Sequence, residues 1–535
     1  MFNVLKKNYL FLFFSIFLIL YSSFSNIGPW DEYHLLYYFK NKLFFPFYDY
    51  NFTYYDPYLL GRFSPITGQE FNIPIFLGIN INNSFFLISI IILSTFVIYF
   101  HTLGYFYNNY DKKIFILFTI FIISSPSFHL LSSRLLYAED MSGLLIIIFL
   151  YLFIKSVNSQ NLNSRIFWNT FLVITTILTL LYKENNFIIL IFFSLGYYFF
   201  DYKNRTNNKN IISLIIILSL IYFLILIYIN IAYKSNDLAY VKNLNFNFLQ
   251  NSLFTLIRYS IFNDPILFFI IIPVGFISLQ ISRNNFYKSM FISGIMNILF
   301  FISLGLYGPY YLYVCYFLLF PLFYEGVLYF LKFINFKKKL VIIFTVFIVF
   351  ISFFNSIFYF FESKSLSTTF NNTVKYLTKS IKENKDVTKI FICNNLTDGN
   401  LAHVYILGEH IKYNNIDVDQ FEFYSLKNNT RNILNSKLSP FDNNLDDYKN
   451  SIFQDKFKKS LPQKGDLMLN FYGYSSKNKG NCGLLRSQKY EEMFSNTQFF
   501  INTLISNLIK VIIYKKEFNK VYFIKKFGYT IFEIK

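Results

Sequence analysis

Cysteine is nearly missing from this chain: Cys315, Cys393 and Cys482 are the only three in 535 residues. No Cys-x-x-Cys pair and no Cys/His spacing suited to zinc or an iron–sulfur cluster occurs, so a metal-stapled or disulfide-framed fold is excluded. Cys393 and Cys482 could still pair with each other if their region faces an oxidising compartment. A glycine-rich loop that would cradle a soluble nucleotide between a strand and a helix is also lacking. Acidic side chains are scarce, 30 against 49 Lys and Arg. No Ala-x-Ala cleavage site follows the first apolar run, 9–24, which Lys6 and Lys7 precede. That run is expected to be an uncleaved signal-anchor.

What fills the chain is hydrophobic: 54% of its residues, including 73 Phe and 45 Tyr. They fall in long blocks rather than on alternating faces, which predicts a polytopic membrane protein. The surplus of Phe, Ile, Asn, Lys and Tyr also has the look of an AT-rich genome. Eleven spans are expected, near 9–24, 84–104, 114–126, 141–154, 169–182, 187–200, 211–233, 264–282, 289–306, 311–331 and 340–360.

A net charge of +19 suggests nucleic acid at first sight, but its distribution argues against that partner. Alternate short loops hold 15 basic and three acidic residues, while the opposite loops hold eight basic and ten acidic. This asymmetry predicts a cytoplasmic N-terminus. It also sends 25–83 and 361–535 to the other side, in a plasma membrane of bacterial type. The C-terminal 175 residues carry 26 Lys and Arg against 17 Asp and Glu, a surface suited to anionic lipid head groups or phosphate donors, or simply to solubility.

Four segments, 114–126, 141–154, 169–182 and 187–200, read shorter than the roughly 20 residues that cross a bilayer. They form two hairpins with charged outer turns, which predicts a water-filled notch; the alternative is polar flanks that complete the helices by snorkelling. In the first outer loop, 33–45 and 85–92 are apolar enough to lie along the interface, and 61–68 reads as loop and turn. Beyond residue 361 the runs 389–393 and 466–471 read as buried strands, 401–410 as a helix and 497–514 as an amphipathic helix. An all-α membrane bundle, 1–360, with a C-terminal extracytoplasmic α/β domain, 361–535, is the expected architecture.

Chemistry-bearing residues gather at the outer turns. Asp31 and Glu32, in Trp30-Asp31-Glu32-Tyr33-His34, could accept the proton of an attacking hydroxyl, help bind a divalent cation, or stay solvated. Arg134, Glu139 and Asp140 close one hairpin, and Lys183 and Glu184 the next. Cations there suit a phosphate leaving group. Glu139 or Asp140 could orient an acceptor, ligate a metal, or balance Arg134.

This order and placement resembles the GT-C superfamily of membrane glycosyltransferases, above all its protein O-mannosyltransferase and aminoarabinose-transferase branch. Asp31-Glu32-Tyr33-His34 in the first outer loop, Arg134 with Glu139-Asp140 before the fourth span, and Lys183-Glu184 between the fifth and sixth carry the resemblance, over roughly 1–330. It implies a sugar donor on polyprenyl phosphate, an extracytoplasmic acceptor and transfer with inversion. Asp31 would then be the catalytic base, with Glu32 beside it, and Arg134 and Lys183 would serve the lipid phosphate. Relatives often place an Arg before a late span, where this chain reads Tyr307-Gly308-Pro309. Arg258 or Arg62 would supply that charge, or donor recognition differs. A divalent cation, Mg or Mn, on Asp31 and Glu139 stays open. Two other classes remain. A flippase of lipid-linked glycans calls for charged or broken helices at mid-depth, and a membrane scaffold would leave the outer constellation without a role.

Overall fold

The computed structural model describes residues 13–19, 25, 27–28, 33–44, 64–104, 112–135, 138–201, 205–232, 248–306, 308–333, 346, 350, 356, 367–379, 388–392, 406–408, 410–411, 413–415, 421–425, 467–470, 490–494, 497–499, 524–526 and 530–534. Asp31, Glu32, Arg62, Cys393 and Cys482 lie outside these residues.

In chain order the helices are α1 Tyr33–Asn41, α2 Phe85–Gly104, α3 Lys112–Ile123, α4 Pro126–Ser132, α5 Ala138–Val157, α6 Leu162–Tyr182, α7 Asn186–Phe200, α8 Arg205–Ala232, α9 Phe248–Ile257, α10 Ile272–Ile281, α11 Asn285–Ser303 and α12 Tyr313–Phe333. Among the described residues, six stretches are long and apolar enough to cross a membrane: Ile81–Gly104, Ala138–Val157, Leu162–Tyr182, Lys209–Ile229, Asn285–Ser303 and Pro309–Phe330. Two shorter apolar helices, Asn186–Phe200 and Leu267–Ile281, accompany them. The protein is polytopic, as helices that satisfy their own backbone polar groups are what such apolar runs must form in lipid. Caps set the starts: Asn284 accepts the Phe286 and Tyr287 N–H groups at 3.1 and 3.2 Å, and Ser125 accepts that of Phe128 at 3.3 Å ahead of Pro126.

Several expectations need correction. The segments 141–154 and 169–182 are not short, because α5 has 20 residues and α6 has 21. Helical hydrogen bonding does not stop where apolarity does. Glu139 and Asp140 continue α5 into its first turn, where the helix dipole favours carboxylates. The expected 114–126 span does break early, at the Ser124-Ser125-Pro126 step between α3 and α4. Residues 85–92 are the first turns of α2 rather than an interfacial strip. Of the expected eleven spans, 9–24 is described only at 13–19 and 340–360 only at 346, 350 and 356.

Polar ends sort into two rims. At one, Lys155 lies 5.7 Å from the Trp168 ring, Asn285 donates to Asp201 at 3.3 Å, and Lys288 lies 5.5 Å from the Phe200 ring. At the other, Lys183 pairs with Glu139, and Asn185 donates to Asn297 at 3.1 Å. Among the described residues, those that charge alternation puts on one side meet one another.

Between the rims the core is aromatic. Phe118 packs with Phe96, Phe317 and Phe320 at centroid separations of 5.3, 5.1 and 4.9 Å, and Tyr99 lies 5.0 Å from Phe317. All five rings are fully buried. Small residues let helices close up elsewhere. A Cβ on Gly196 of α7 would stand 3.3 Å from the Ser289 backbone of α11, and one on Gly275 of α10 would strike the Phe291 ring at 2.1 Å.

In the C-terminal region β1 Thr388–Ile392, β2 Phe421–Ser425, β3 Leu467–Asn470, β4 Tyr490–Phe494 and β7 Thr530–Ile534 form one sheet in the order β2-β1-β3-β7-β4. β1 pairs parallel with β2 and β3, while β7 is antiparallel to β3 and β4. The two runs expected as buried strands are thus neighbours, with Ile390 and Leu469 buried. The helix expected over 497–514 instead opens as β5 Thr497–Phe499, paired with β6 Ile524–Lys526. A non-local partner there overrides a helical reading of three residues with β-forming side chains. Helix 367–379 turns Phe370, Thr373, Val374 and Leu377 inward, and the Phe370 ring meets His410 edge-on at 4.6 Å.

Candidate active site

α5 opens with Glu139 and Asp140, and α6 closes at Tyr182 with Lys183 in extended backbone as its C-cap. The two helices pack side by side and antiparallel, so one start meets the other's end. Lys183 and Glu139 form an ion pair there, both nearly out of solvent. The Tyr311 ring stands 5.3 Å from the Lys183 ammonium, adding a third segment to the pair.

The first loop supplies the fourth. Gly68, at φ 84°, makes the turn that starts Gln69–Phe71, a left-handed conformation that glycine adopts without strain. Thr67 donates to the Tyr182 carbonyl, the Tyr182 hydroxyl donates to Glu70 at 2.6 Å, and Ser64 donates to Glu184 at 2.9 Å. Loop 64–70 is thereby laced to the end of α6. Glu70 keeps part of its surface open, yet its Oε2 is shut away from water. Burial pushes its carboxyl up to about 7, against the lowering effect of the Tyr182 hydrogen bond.

Asp140 is 1% exposed, and neither of its oxygens meets a hydrogen-bond partner among the described residues. Glu139, Glu70 and Lys183 lie within electrostatic reach of it, as it does of Tyr313. Gly143, one turn on, brings the Tyr313 ring close: a Cβ there would stand 3.1 Å from its Cε1. Behind this group, Ser142 donates to Asn186 at 2.9 Å and Asn186 to the Thr179 carbonyl at 2.7 Å. Asp264 is fully buried and accepts from the Tyr316 hydroxyl at 2.6 Å and from the Leu267 N–H at 3.3 Å. π-Helical turns at Arg258–Asn263 and Leu267–Ile271 flank it, and Tyr259 of the first reaches the Gly308 carbonyl at 3.4 Å.

Of the residues singled out in the sequence, Glu139, Asp140, Lys183 and Glu184 are brought together. Arg134 follows α4 six residues before Asp140, partly buried with its Nε shielded, and Arg258 opens the first π-helical turn. Asp31, Glu32 and Arg62 lie outside the described residues. Glu70, Tyr182, Tyr311, Tyr313 and Asp264 were missed. Glu70 had a signal, a carboxylate just past Gly68 in the loop already holding Asp31. The tyrosines had none among 45 of their kind. Among the described residues no group of three or more His, Cys, Asp or Glu could hold a metal ion.

Chemically, the cluster of four carboxylates and one lysine is rich in acceptors. It suits hydroxyl donors such as a polyol, while any anion must draw the lysine away from Glu139.

No family profile matches the chain, and no curated protein sequence matches it. Among solved structures it is similar to ArnT from Cupriavidus metallidurans in the apo state, at 8% identity and a TM-score of 0.46, covering 92% of this chain and 96% of that one. The same protein bound to undecaprenyl phosphate matches at 8% identity and a TM-score of 0.45, covering 91% and 95%. Similarity of this degree fixes neither fold nor activity.

Proposed function

We propose that this chain is an integral-membrane glycosyltransferase that moves a sugar from a polyprenyl-phosphate donor to an extracytoplasmic acceptor on a glycan, lipid or protein, with inversion. One observation carries the reading: the buried Lys183–Glu139 pair, with Asp140 and Glu70 beside it, joins loop 64–70, the start of α5, the end of α6 and the segment before α12 at one rim. Charge asymmetry between loops puts that rim outside the cytoplasm, with the N-terminus inside and 361–535 outside as an α/β domain.

In this reading the acceptor oxygen attacks the anomeric carbon as Asp31 takes its proton, with Glu32 adjacent. The carbon–oxygen bond to phosphate breaks and its electron pair stays on the lipid phosphate. Lys183 and Arg134, with Arg62 or Arg258, meet that charge. Lys183 holds Glu139 until the phosphate competes for it. Asp140, Glu70 and Glu184 then accept hydrogen bonds from hydroxyls of sugar or acceptor. No step runs through a metal ion; an Mg or Mn ion on Asp31 and Glu139 would have to compete with the Lys183 ammonium for Glu139.

The test is release of polyprenyl phosphate from synthetic lipid-linked sugars by membranes holding the protein. Asp31→Asn should slow release by about 10²- to 10⁴-fold, the range for loss of a general base. Translocation of the lipid-linked sugar without its cleavage would replace this reading with the flippase.

A further inference from the structure

Around the buried Lys183–Glu139 pair most polar side chains have found partners within the protein. Ser142 donates to Asn186, Asn185 to Asn297, Tyr182 to Glu70 and Ser64 to Glu184. Asp140 and Tyr313 have not. Both carboxyl oxygens of Asp140 and the hydroxyl of Tyr313 are shut away from water, and none meets a hydrogen-bond partner among the described residues. Glu70 Oε2 is left in the same condition beside them. Buried oxygens without partners are costly, so a fold that keeps several in one place keeps them for something that fills it.

Asp140 lies in the first turn of α5, and Tyr313 opens α12. Gly143, one turn after Asp140, lets the Tyr313 ring lie against α5, where a side chain would crowd it. Asp140 is within electrostatic reach of Tyr313, yet the two stop short of a hydrogen bond. A group that joins them must give a proton to the carboxylate and accept one from the phenol. A hydroxyl does both. A phosphate oxygen has no proton for Asp140, and an ammonium has no lone pair for Tyr313. Lys183, also within reach of Asp140, indicates whose hydroxyl it is. It meets the lipid phosphate in the scheme above, and the donor sugar is bonded directly to that phosphate.

We propose that Asp140 and Tyr313 form a subsite that reads one hydroxyl of the donor sugar, which donates to Asp140 and accepts from Tyr313. This rests on the glycosyltransferase reading and deepens it: the pair selects which sugar is taken.

The experiment crosses the full chain and its Tyr313→Phe variant with polyprenyl-phosphate sugars and their monodeoxy analogues. With the wild type, one deoxy donor should lose about tenfold to hundredfold in kcat/KM, the range for a hydrogen bond to a charged group. Tyr313→Phe should cost about threefold to tenfold with the complete donor. With that deoxy donor it should cost nothing further, since both changes remove the same contact. Losses that simply multiply for every donor overturn the proposal and leave the pair holding water alone. A second measurement needs no turnover. Tyr313→Phe should leave the melting temperature of the ligand-free protein in detergent unchanged or raised, because its hydroxyl has no partner to lose. A fall would mean that the hydroxyl is bonded within the protein, and overturns the proposal equally. If the wild type releases polyprenyl phosphate from no donor, the glycosyltransferase reading fails by itself. The subsite then stands if methyl glycosides raise the melting temperature of the wild type and not of Tyr313→Phe, and falls if they do not.

Discussion

Lys183 is the side chain on which the rim's charge balance turns. Lys183→Ala leaves Glu139 buried without the ammonium it contacts, and breaking one side of such a pair costs about 3–5 kcal/mol. Thermal melting in detergent should show that loss, and Lys183→Ala with Glu139→Ala should recover part of it. Glu70 makes a pH prediction. Its folded carboxyl is raised to about 7, so between the ordinary carboxylate range and 7 the folded chain holds a proton that the unfolded chain has lost. Stability from this group is full below that range and falls as pH climbs to 7. Glu70→Gln should flatten the melting temperature across that window; an unchanged slope would place the titration elsewhere. The sequence exposed Glu139, Asp140, Lys183 and Glu184 because charges between apolar blocks stand out. It hid the raised Glu70 carboxyl, since the burial that raises it arises only once loop 64–70 folds against the end of α6.

Among elements, α5 and α6 show what apolar length conceals. Both read as short, yet their polar ends stay helical: the start of α5 is buried against Lys183 and Asn186, while the start of α6 stays helical though largely exposed. Hydropathy counts side chains and not their hosts. The same limit let 497–514 pass for a helix: nothing local marks Ile524–Lys526 as the partner of Thr497–Phe499. Strands β1 and β3 were legible because buried strands are continuous apolar runs. Contact between α10 and α11 gives a test of packing. Gly275→Ala puts a methyl into the Phe291 ring and should cost about 1–3 kcal/mol, read by thermal melting. Adding Phe291→Leu should return part of that stability, whereas no recovery would mean that the ring is not what the methyl meets.

For the molecule as a whole, the separation of two rims agrees with the alternation drawn from lysine placement. Cysteines introduced at Lys42 and at Asn158 should label with impermeant maleimide from opposite faces of intact cells or inverted vesicles, Lys42 from outside. Labelling of both from one face would undo the topology and with it the site's compartment. The alternation of charge was readable from the sequence because it is an additive property of many loops; the convergence of four segments was not, because it depends on how helices pack. The rings of Phe96, Tyr99, Phe118, Phe317 and Phe320 carry a consequence of their own. Packed edge-on and tilted from three helices and closed to solvent, they leave no open path between them, and a hydrated head group passing by that route would have to prise them apart. Chemistry confined to one face would leave such a seal intact, whereas cargo taking that route would have to open it.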